Sequence, residues 1–448
     1  MNRTSLDRRS FLKTAGLAAA AASLPRCGVP PEMVGRKKPN FIIIFTDDQG
    51  YNDLGCYGAR DIATPNFDRM AWEGTKCTSF YSQPVCGPAR TALLTGCYPS
   101  RTMRGKWTMK TEEVTLAEQL KTAGYRTGMV GKWDLSDRVY NAARHPNSQG
   151  FDVFRGSMSA NDEGYVTLWD NRKRVGELSD MSMLTRLYTN SAIDFLKQSG
   201  DDPFFLYLAH PMPHVKLGAS KAFLGKSKRG LYGDVIEELD HECGRLMTAV
   251  KELGLANDTI VLFASDNGPW LYKGKESGSS SPLRGGKGTA WEGGYRVPGI
   301  FWGPSWIPAG RSTDELMTTL DILPTFSAMA GVKVPSDRII DGVDQREFLL
   351  GESDVSARKT FYYYVHNELQ AVRLGKWKMR LPNRTETYGF PVESPTVPFH
   401  QLHDLSVDKE EKFDLAAQQP AILAQLKKLV AVARADIGDQ DLEGPGIR

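Results

Sequence analysis

Apolar residues along the chain follow two rhythms. Unbroken runs rich in β-branched and aromatic side chains occupy 41–45, 203–209 and 259–264. That is the pattern of strands buried on both faces. Shorter runs at 126–130 and 300–302 read the same way. Between the runs, apolar positions recur every three or four residues over 66–74, 182–197 and 232–253, which predicts amphipathic helices. In the longest, Val235, Ile236, Leu239, Cys243, Leu246, Met247 and Val250 form the buried stripe. His241 and Glu242 fall on the polar side and read as solvated. Thr115 with Glu118 three residues on forms a capping signal, and Gly124 ends that helix. Residues 313–330 read as a helix interrupted at Pro324, whereas 138–180 are polar and irregular and take no clear assignment.

Strands alternating with helices imply an α/β fold: a large mixed, mainly parallel sheet sandwiched by helices. Near residue 355 the rhythm changes. Alternating patterns at 361–365, 371–381 and 399–405 and an amphipathic helix at 420–435 predict a smaller C-terminal α+β subdomain, an antiparallel sheet covered by one helix. The division is therefore 38–355 for the main domain and 356–448 for the subdomain, as 448 residues exceed one ordinary core.

Composition changes this picture little. The chain is 41% hydrophobic and 24% charged with a net charge of +3, too small for the concentrated basic face of a nucleic-acid binder. The N-terminus changes it more. Arg8-Arg9-Ser10-Phe11-Leu12-Lys13 precedes an apolar run, 15–24, too short to span a membrane. Residues 1–27 resemble a twin-arginine export signal, which implies the twin-arginine machinery as a partner and a periplasmic or extracellular location. Lipid anchoring at Cys27 is the lesser option, because Pro25 and Arg26 replace the small residues of a lipoprotein site. Export permits disulfides, and Cys56, Cys77, Cys97 and Cys243 allow three pairings. No cysteine–histidine spacing resembles a zinc site.

Candidate chemistry gathers at strand ends, where open α/β sheets place their ligands. Asp47-Asp48 follows the first strand and Asp266-Asn267 the strand at 259–264. Together they offer an all-oxygen set suited to Ca²⁺, with Mg²⁺ second. Lys132 ends another strand, His210 and His214 sit in a proline-stiffened segment, and Lys287 lies in a glycine-rich stretch whose backbone can approach a ligand. Cys86-Gly87-Pro88-Ala89-Arg90 opens a short helix closed by Gly96, with Pro88 read as its first helical position. A cysteine at a helix N-terminus with Arg90 one turn in prepares a nucleophile beside an anion site.

Cys86-x-Pro88-x-Arg90 through Thr95-Gly96 resembles the formylglycine signature of the type I sulfatases, arylsulfatase-like members of the alkaline phosphatase superfamily. Asp47-Asp48, Gly131-Lys132-Trp133, Pro213-His214, Asp266-Asn267-Gly268 and Gly286-Lys287-Gly288-Thr289 follow that family's order, and the likeness extends over about 38–435. The resemblance implies that a formylglycine-generating maturation enzyme oxidises Cys86 to an aldehyde, whose hydrate attacks the sulfur of a sulfate ester. It also implies that Asp47, Asp48, Asp266, Asn267 and the modified Cys86 bind the metal. Arg90 and Lys132 would stabilise the hydrate and sulfate, while His214 and Lys287 would contact the sulfate and assist the leaving alcohol. The family histidine that helps release sulfate is here Asp134, which adds negative charge near an anionic substrate.

The expected activity is sulfate ester hydrolysis, with a sulfated carbohydrate as substrate for an exported enzyme. Two alternatives are a formylglycine-dependent phosphonate or phosphodiester hydrolase and a catalytically impaired glycan-binding homologue. Arg104, Trp107, Trp270 and His366 are candidates for a sugar subsite.

Overall fold

Thr46, at the end of the strand Asn40–Thr46 (β1), is where the fold delivers its first pair of acids. All seven residues of β1 are buried, as its unbroken apolar run predicts. The computed structural model describes residues 37–103, 108–382, 399–440 and 442–447. The export signal, Cys27, Arg104 and Trp107 lie outside the described residues.

The further strands of the main sheet are β2 (Thr75–Tyr81), β3 (Arg126–Lys132), β4 (Val153–Ser157), β5 (Val166–Asp170), β6 (Lys173–Leu178), β7 (Phe204–Ala209), β8 (Thr259–Ser265), β9 (Arg296–Trp302), β10 (Arg311–Thr313) and β11 (Met317–Thr318). They run in the order β10-β2-β9-β8-β1-β7-β3-β4-β5-β6, with β11 also on β2. The central strands β8, β1, β7, β3 and β4 are parallel. Antiparallel β9 and β5–β6 flank them, so the sheet is mixed. Parallel pairing brings the C-terminal ends of β1, β3, β7 and β8 to one edge, which is where separate motifs can meet.

Helices α1 (Pro65–Trp72), α2 (Cys86–Thr95), α3 (Leu116–Lys121), α4 (Leu184–Lys197), α5 (Gly230–Glu252), α6 (Ile322–Met329) and α7 (Pro420–Asp436) surround the strands. The two-residue period of β1 divides the core. Ile42 and Ile44 pack with residues of α1, α4 and α5, among them Phe67, Tyr188 and Leu239. Phe41 points to the other face, where its ring stacks on Phe326 of α6 at 4.2 Å. At the start of α1, the backbone amides of Asn66 and Phe67 donate to Asp240 Oδ1 at 2.9 and 2.8 Å. That carboxylate on α5 caps α1 and locks the two helices together. The capping box at Thr115 and Glu118 forms as predicted.

β12 (Thr360–Val365), β13 (Glu368–Leu374), β14 (Trp377–Arg380) and β15 (Gln401–Asp404) form a separate antiparallel sheet covered by α7. The stretch read as one strand over 371–381 is instead a hairpin. Gly375, at φ 54°, supplies the left-handed turn that a side chain would resist. Three further expectations are corrected. Residues 313–330 begin as β10 and β11, and α6 starts only at Ile322, so Pro324 sits in a first turn rather than interrupting a helix. Glu242 is buried and accepts a hydrogen bond from Arg245 Nη1 at 2.5 Å, while His241 is exposed. The irregular segment 138–180 contains β4, β5 and β6, hidden from periodicity because β5 is half-buried and β6 exposed.

The small sheet packs against the large one around buried Glu292, which accepts from Tyr81 and from Tyr363 Oη at 2.8 Å and pairs with Lys378 at 3.0 Å. Residues 38–448 form a single compact unit. Among the described residues, Cys56, Cys77 and Cys243 remain thiols, so none of the three possible pairings forms a bridge. No described helix is long and apolar enough to cross a membrane.

Candidate active site

Cys86 is the first residue of α2, preceded by extended Val85, and all ten residues of this helix are buried. Pro88 is therefore the third helical residue rather than the first; its missing N–H still costs nothing, because amides of the first turn have no intrahelical partner. Gly96, at φ 67°, ends the helix with its amide on Ala92 O. The Cys86 thiol donates to Asp47 Oδ1 at 3.1 Å and lies 3.9 Å from Asp48 Oδ1, while Lys287 Nζ approaches Sγ at 3.3 Å. Burial first, then Asp266 and Asp47, push the thiol well above its ordinary pKa, against the pull of Lys132 and Lys287. A thiolate nucleophile is what this setting suppresses.

Asp47 and Asp48 follow β1, and Asp48 takes a left-handed backbone at φ 61°. Its amide donates to Asp266 Oδ1 at 3.1 Å, tying the ends of β1 and β8 together. Arg90 Nη2 bridges Asp47 Oδ2 at 3.0 Å and Asp266 Oδ2 at 2.9 Å. Lys132 Nζ reaches Asp47 Oδ2 at 2.6 Å and Asp134 Oδ2 at 3.2 Å. Lys287 Nζ pairs with Asp48 Oδ1 at 2.7 Å. Burial opposes the Asp47 charge, yet Lys132, His214, Arg90 and Lys287 hold its carboxyl well below the usual range. Burial first and Asp47 second push Asp266 the other way, to about 7. Arg90 and Lys132 are fully buried behind these acids and do not line the cleft.

The cleft in front of Cys86 measures about 420 Å³ and is lined by Asp134, Arg138, Asp162, His214, Trp270 and Lys287, among others. His214 Nδ1 is 2.7 Å from the carbonyl of Val215, an acceptor only, so Nδ1 carries the proton. Its Nε2 faces Asp48 at 3.6 Å and Asp162 at 3.5 Å. Burial, the largest influence, lowers the His214 pKa. Asp134 is held by Lys132 and by Arg138 Nε at 3.1 Å; burial works against its charge, but these cations and Arg90 keep its pKa below the usual value.

The donor set can be tested for a divalent cation. Asp47, Asp48, Cys86 and His214 present ligand atoms that all lie within 4.8 Å of one another. Asn267 donates through Nδ2 to Asp48 Oδ1 at 2.7 Å, leaving its Oδ1 buried without a partner among the described residues. An orphaned carbonyl oxygen beside crowded carboxylates is the environment that a hard cation satisfies, so the residues fit. Asp266 stands further back, since Arg90 and the Asp48 amide engage its two oxygens.

Of the sugar-subsite candidates, Trp270 is in the cleft, its ring 5.6 Å from that of His214 and 4.7 Å from Lys287 Nζ. His366 is exposed in the β12–β13 hairpin, with its carbonyl near Ser100, and is not among the cleft-lining residues. His210 is fully buried, both ring nitrogens lack partners among the described residues, and burial pushes its imidazole down to about 3. Asp162 and Arg138 are residues that sequence reasoning missed. They lie in the irregular stretch after β3, where no periodicity or motif marks them.

Comparisons with known proteins show the family. The sulfatase family model matches residues 39–332, and a twin-arginine translocation signal model matches 5–25. The N-acetylgalactosamine-6-sulfatase of Sus scrofa is 36% identical, with 93% of this chain and 88% of that protein covered. Human arylsulfatase A is 35% identical, with 88% and 87% covered. A solved structure from the metabolism of multiple glycosaminoglycans by Bacteroides thetaiotaomicron superposes with a TM-score of 0.80 at 29% identity, covering 89% of this chain and all of that one. The twin-arginine signal directs export across the membrane, to the periplasm or beyond. Family match and identity over most of its length together show that this chain belongs to the sulfatase family, whose members are sulfuric ester hydrolases.

Proposed function

We propose that this exported sulfatase removes a sulfate group from a carbohydrate and does so only after Cys86 has been converted to formylglycine. The observation that carries the reading is the position of Cys86 Sγ on the cleft wall, between Asp47 at 3.1 Å and Lys287 at 3.3 Å. In this setting the thiol is protonated and a poor nucleophile; the aldehyde that replaces it supplies an oxygen nucleophile in its hydrated form. The maturation enzyme that makes this change is therefore a required partner. Residues 38–355 would carry the chemistry, and 356–448 would support it.

Asp47, Asp48, Asp266, Asn267 and the modified side chain at 86 would hold the cation, Ca²⁺ before Mg²⁺, given flexible carboxylates and a carbonyl oxygen. When bound, the cation neutralises charge on the sulfate. Lys287 and His214 reach the same space from the cleft side. Lys287 Nζ offers a fixed positive charge to a sulfate oxygen. His214, with Nδ1 committed to Val215, keeps Nε2 available to hold a proton for the departing alcohol. Arg90 and Lys132 act from behind by fixing Asp47, Asp266 and Asp134 rather than by touching substrate. Asp134 can accept a proton in the cleft, while Lys132 and Arg138 offset its charge.

The carbohydrate assignment draws on the pig relative, an N-acetylgalactosamine-6-sulfatase, and on the Bacteroides protein of glycosaminoglycan metabolism. Trp270 provides an aromatic face beside His214 on which a sugar ring can stack. To test the reading, the protein is produced with and without a formylglycine-generating enzyme, and the peptide spanning Cys86 is analysed by mass. Turnover of an aryl sulfate is compared with that of an aryl phosphate diester, followed by a panel of sulfated monosaccharides. The expected result is an aldehyde at 86 with sulfate release from the aryl and sugar sulfates. An unmodified thiol, or a preference for the phosphate diester, would overturn it.

A further inference from the structure

A short turn after β3 holds an ion-pair chain whose link from Arg138 to Asp162 the chemistry described so far does not use. Asp134, Asp137 and Arg138 all have positive φ, 56°, 60° and 60°, a conformation that residues other than glycine adopt at a cost. Three such residues within five persist only where side-chain contacts over-determine them. The contacts centre on Arg138. Its Nε lies 3.1 Å from Asp134 Oδ1, and its Nη1 lies 2.5 Å from Asp162 Oδ2. The second oxygen of Asp162 is 3.5 Å from His214 Nε2, and the second oxygen of Asp134 is 3.2 Å from Lys132 Nζ. One arginine thus joins the two sides of the cleft, from Lys132 and Asp134 to Asp162 and His214.

We propose that Arg138 is a positioning residue for the sulfate-bearing end of the substrate: it ties Asp134 to Asp162, holds Asp162 against His214, and screens both carboxylates from the incoming anion. The inference rests on the sulfatase reading above. Its physical basis is charge. Asp134 and Asp162 line the same cleft as Lys287 and His214, so without Arg138 Asp162 would face the sulfate without its guanidinium partner and Asp134 would keep only Lys132. Arg138 is half exposed, at 50%, and pairs in such positions contribute little to stability, which separates its role from that of the buried cations Arg90 and Lys132. A planar guanidinium can engage both carboxylates at once; a lysine ammonium is a point charge and cannot span them in the same way.

The test compares Arg138→Ala, Arg138→Lys, Asp162→Asn and the double variant Arg138→Ala/Asp162→Asn with the unmutated protein, all matured to the aldehyde. Two quantities are read: KM and kcat on an aryl sulfate, and binding of inorganic sulfate by calorimetry. Arg138→Ala is expected to raise KM and weaken sulfate binding about 10-fold or more, a range typical of supporting partners around a charged site. The change in kcat should be smaller and the melting temperature unchanged. Arg138→Lys should recover part of the loss. In the double variant the loss should be smaller than the sum of the single effects, because one of the two carboxylates released by removing Arg138 is already neutral. Unchanged KM and sulfate affinity in Arg138→Ala, full recovery by lysine, or strict additivity in the double variant would overturn the proposal. Failure of the unmutated protein to hydrolyse the aryl sulfate would count against the proposed function instead, while the clamp would still be read from sulfate binding.

Discussion

Arg90 Nη2 stands 2.9 Å from Asp266 Oδ2, with neither side chain exposed to solvent. The same nitrogen holds Asp47 at 3.0 Å, so one cation from α2 fixes acids from the ends of β1 and β8. Truncating one partner of a buried pair leaves an uncompensated charge, at a cost of about 3–5 kcal/mol. Arg90→Ala should therefore abolish activity and lower the melting temperature markedly, whereas Arg90→Met combined with neutral replacements of both acids should recover stability but not activity. Thermal melting together with turnover separates the two effects.

Removing the cation should loosen the same cluster. Asp47 and Asp48 crowd the Cys86 thiol with Asp266 behind them, and Asn267 Oδ1 has no hydrogen-bond partner among the described residues. A ligand that binds only the folded state stabilises it by about 2.7 kcal/mol at a hundredfold excess over its Kd. Chelation should lower the melting temperature, and added Ca²⁺ should restore it at lower concentration than Mg²⁺. Asn267→Ala should shift both titrations to higher cation concentrations. A melting temperature indifferent to chelator and metal would overturn the proposed ligand set.

Asp134 permits a direct pH test. Lys132, Arg138 and Arg90 keep its carboxyl below the usual carboxylate range despite burial, so it stays ionised at all working pH values. Asp134→His places a group of ordinary pKa about 6.5 at this position. The pH–rate profile of that variant should gain an inflection in the range where an imidazole titrates. Superimposable profiles for variant and parent would exclude Asp134 from the chemistry.

Asp240 predicts a pH dependence of stability away from the active site. Burial raises its pKa to about 6, even though the amides of Asn66 and Phe67 donate to it. A carboxyl whose folded pKa exceeds its unfolded value binds more protons in the folded state between the two. Its contribution is therefore full below about pH 4 and is lost as pH rises towards 6. The change is on the order of 3 kcal/mol. Asp240→Asn should flatten the stability profile over this window in denaturant titrations, and an unchanged slope would assign the dependence elsewhere.

Glu292 joins the two sheets. Its oxygens accept from Tyr81 and Tyr363 and pair with Lys378, which also reaches Glu411 at 2.8 Å. Burial opposes its charge, but Lys378, Arg296 and Arg373 hold it at about 2. Glu292→Ala should cost about 3–5 kcal/mol, because Lys378 keeps only Glu411 and the buried Tyr81 and Tyr363 hydroxyls lose their acceptor. Limited proteolysis should then release the small sheet with α7 before the main sheet is cut.

Much of the frame was legible because it is locally encoded. The run from Phe41 to Phe45 can be satisfied only by burial on both faces, and β1 is buried throughout. Cys86 and Gly96 bound a helix as expected, because the rules for starting and ending a helix involve residues a turn apart. Where exposure erased the period, as in β6, or where two strands shared one alternating stretch, as in β13 and β14, pattern alone misled.

Sequence by itself determined which chemical groups the chain carries to the ends of its strands: two acids after β1, Lys132 at the end of β3, an acid and an amide after β8, and a cysteine at the start of α2. Only the tertiary structure decided where each of them stands. Lys287 and Cys86 are 201 residues apart and meet at 3.3 Å because β2 and β8 run the same way on either side of antiparallel β9, so the segments that follow them share one edge. The same packing sends Arg90 and Lys132 behind the acids, Lys287 and His214 to the front, and Arg138 between Asp134 and Asp162. Such contacts depend on side-chain direction and burial across the whole sheet, and no local period or motif records them.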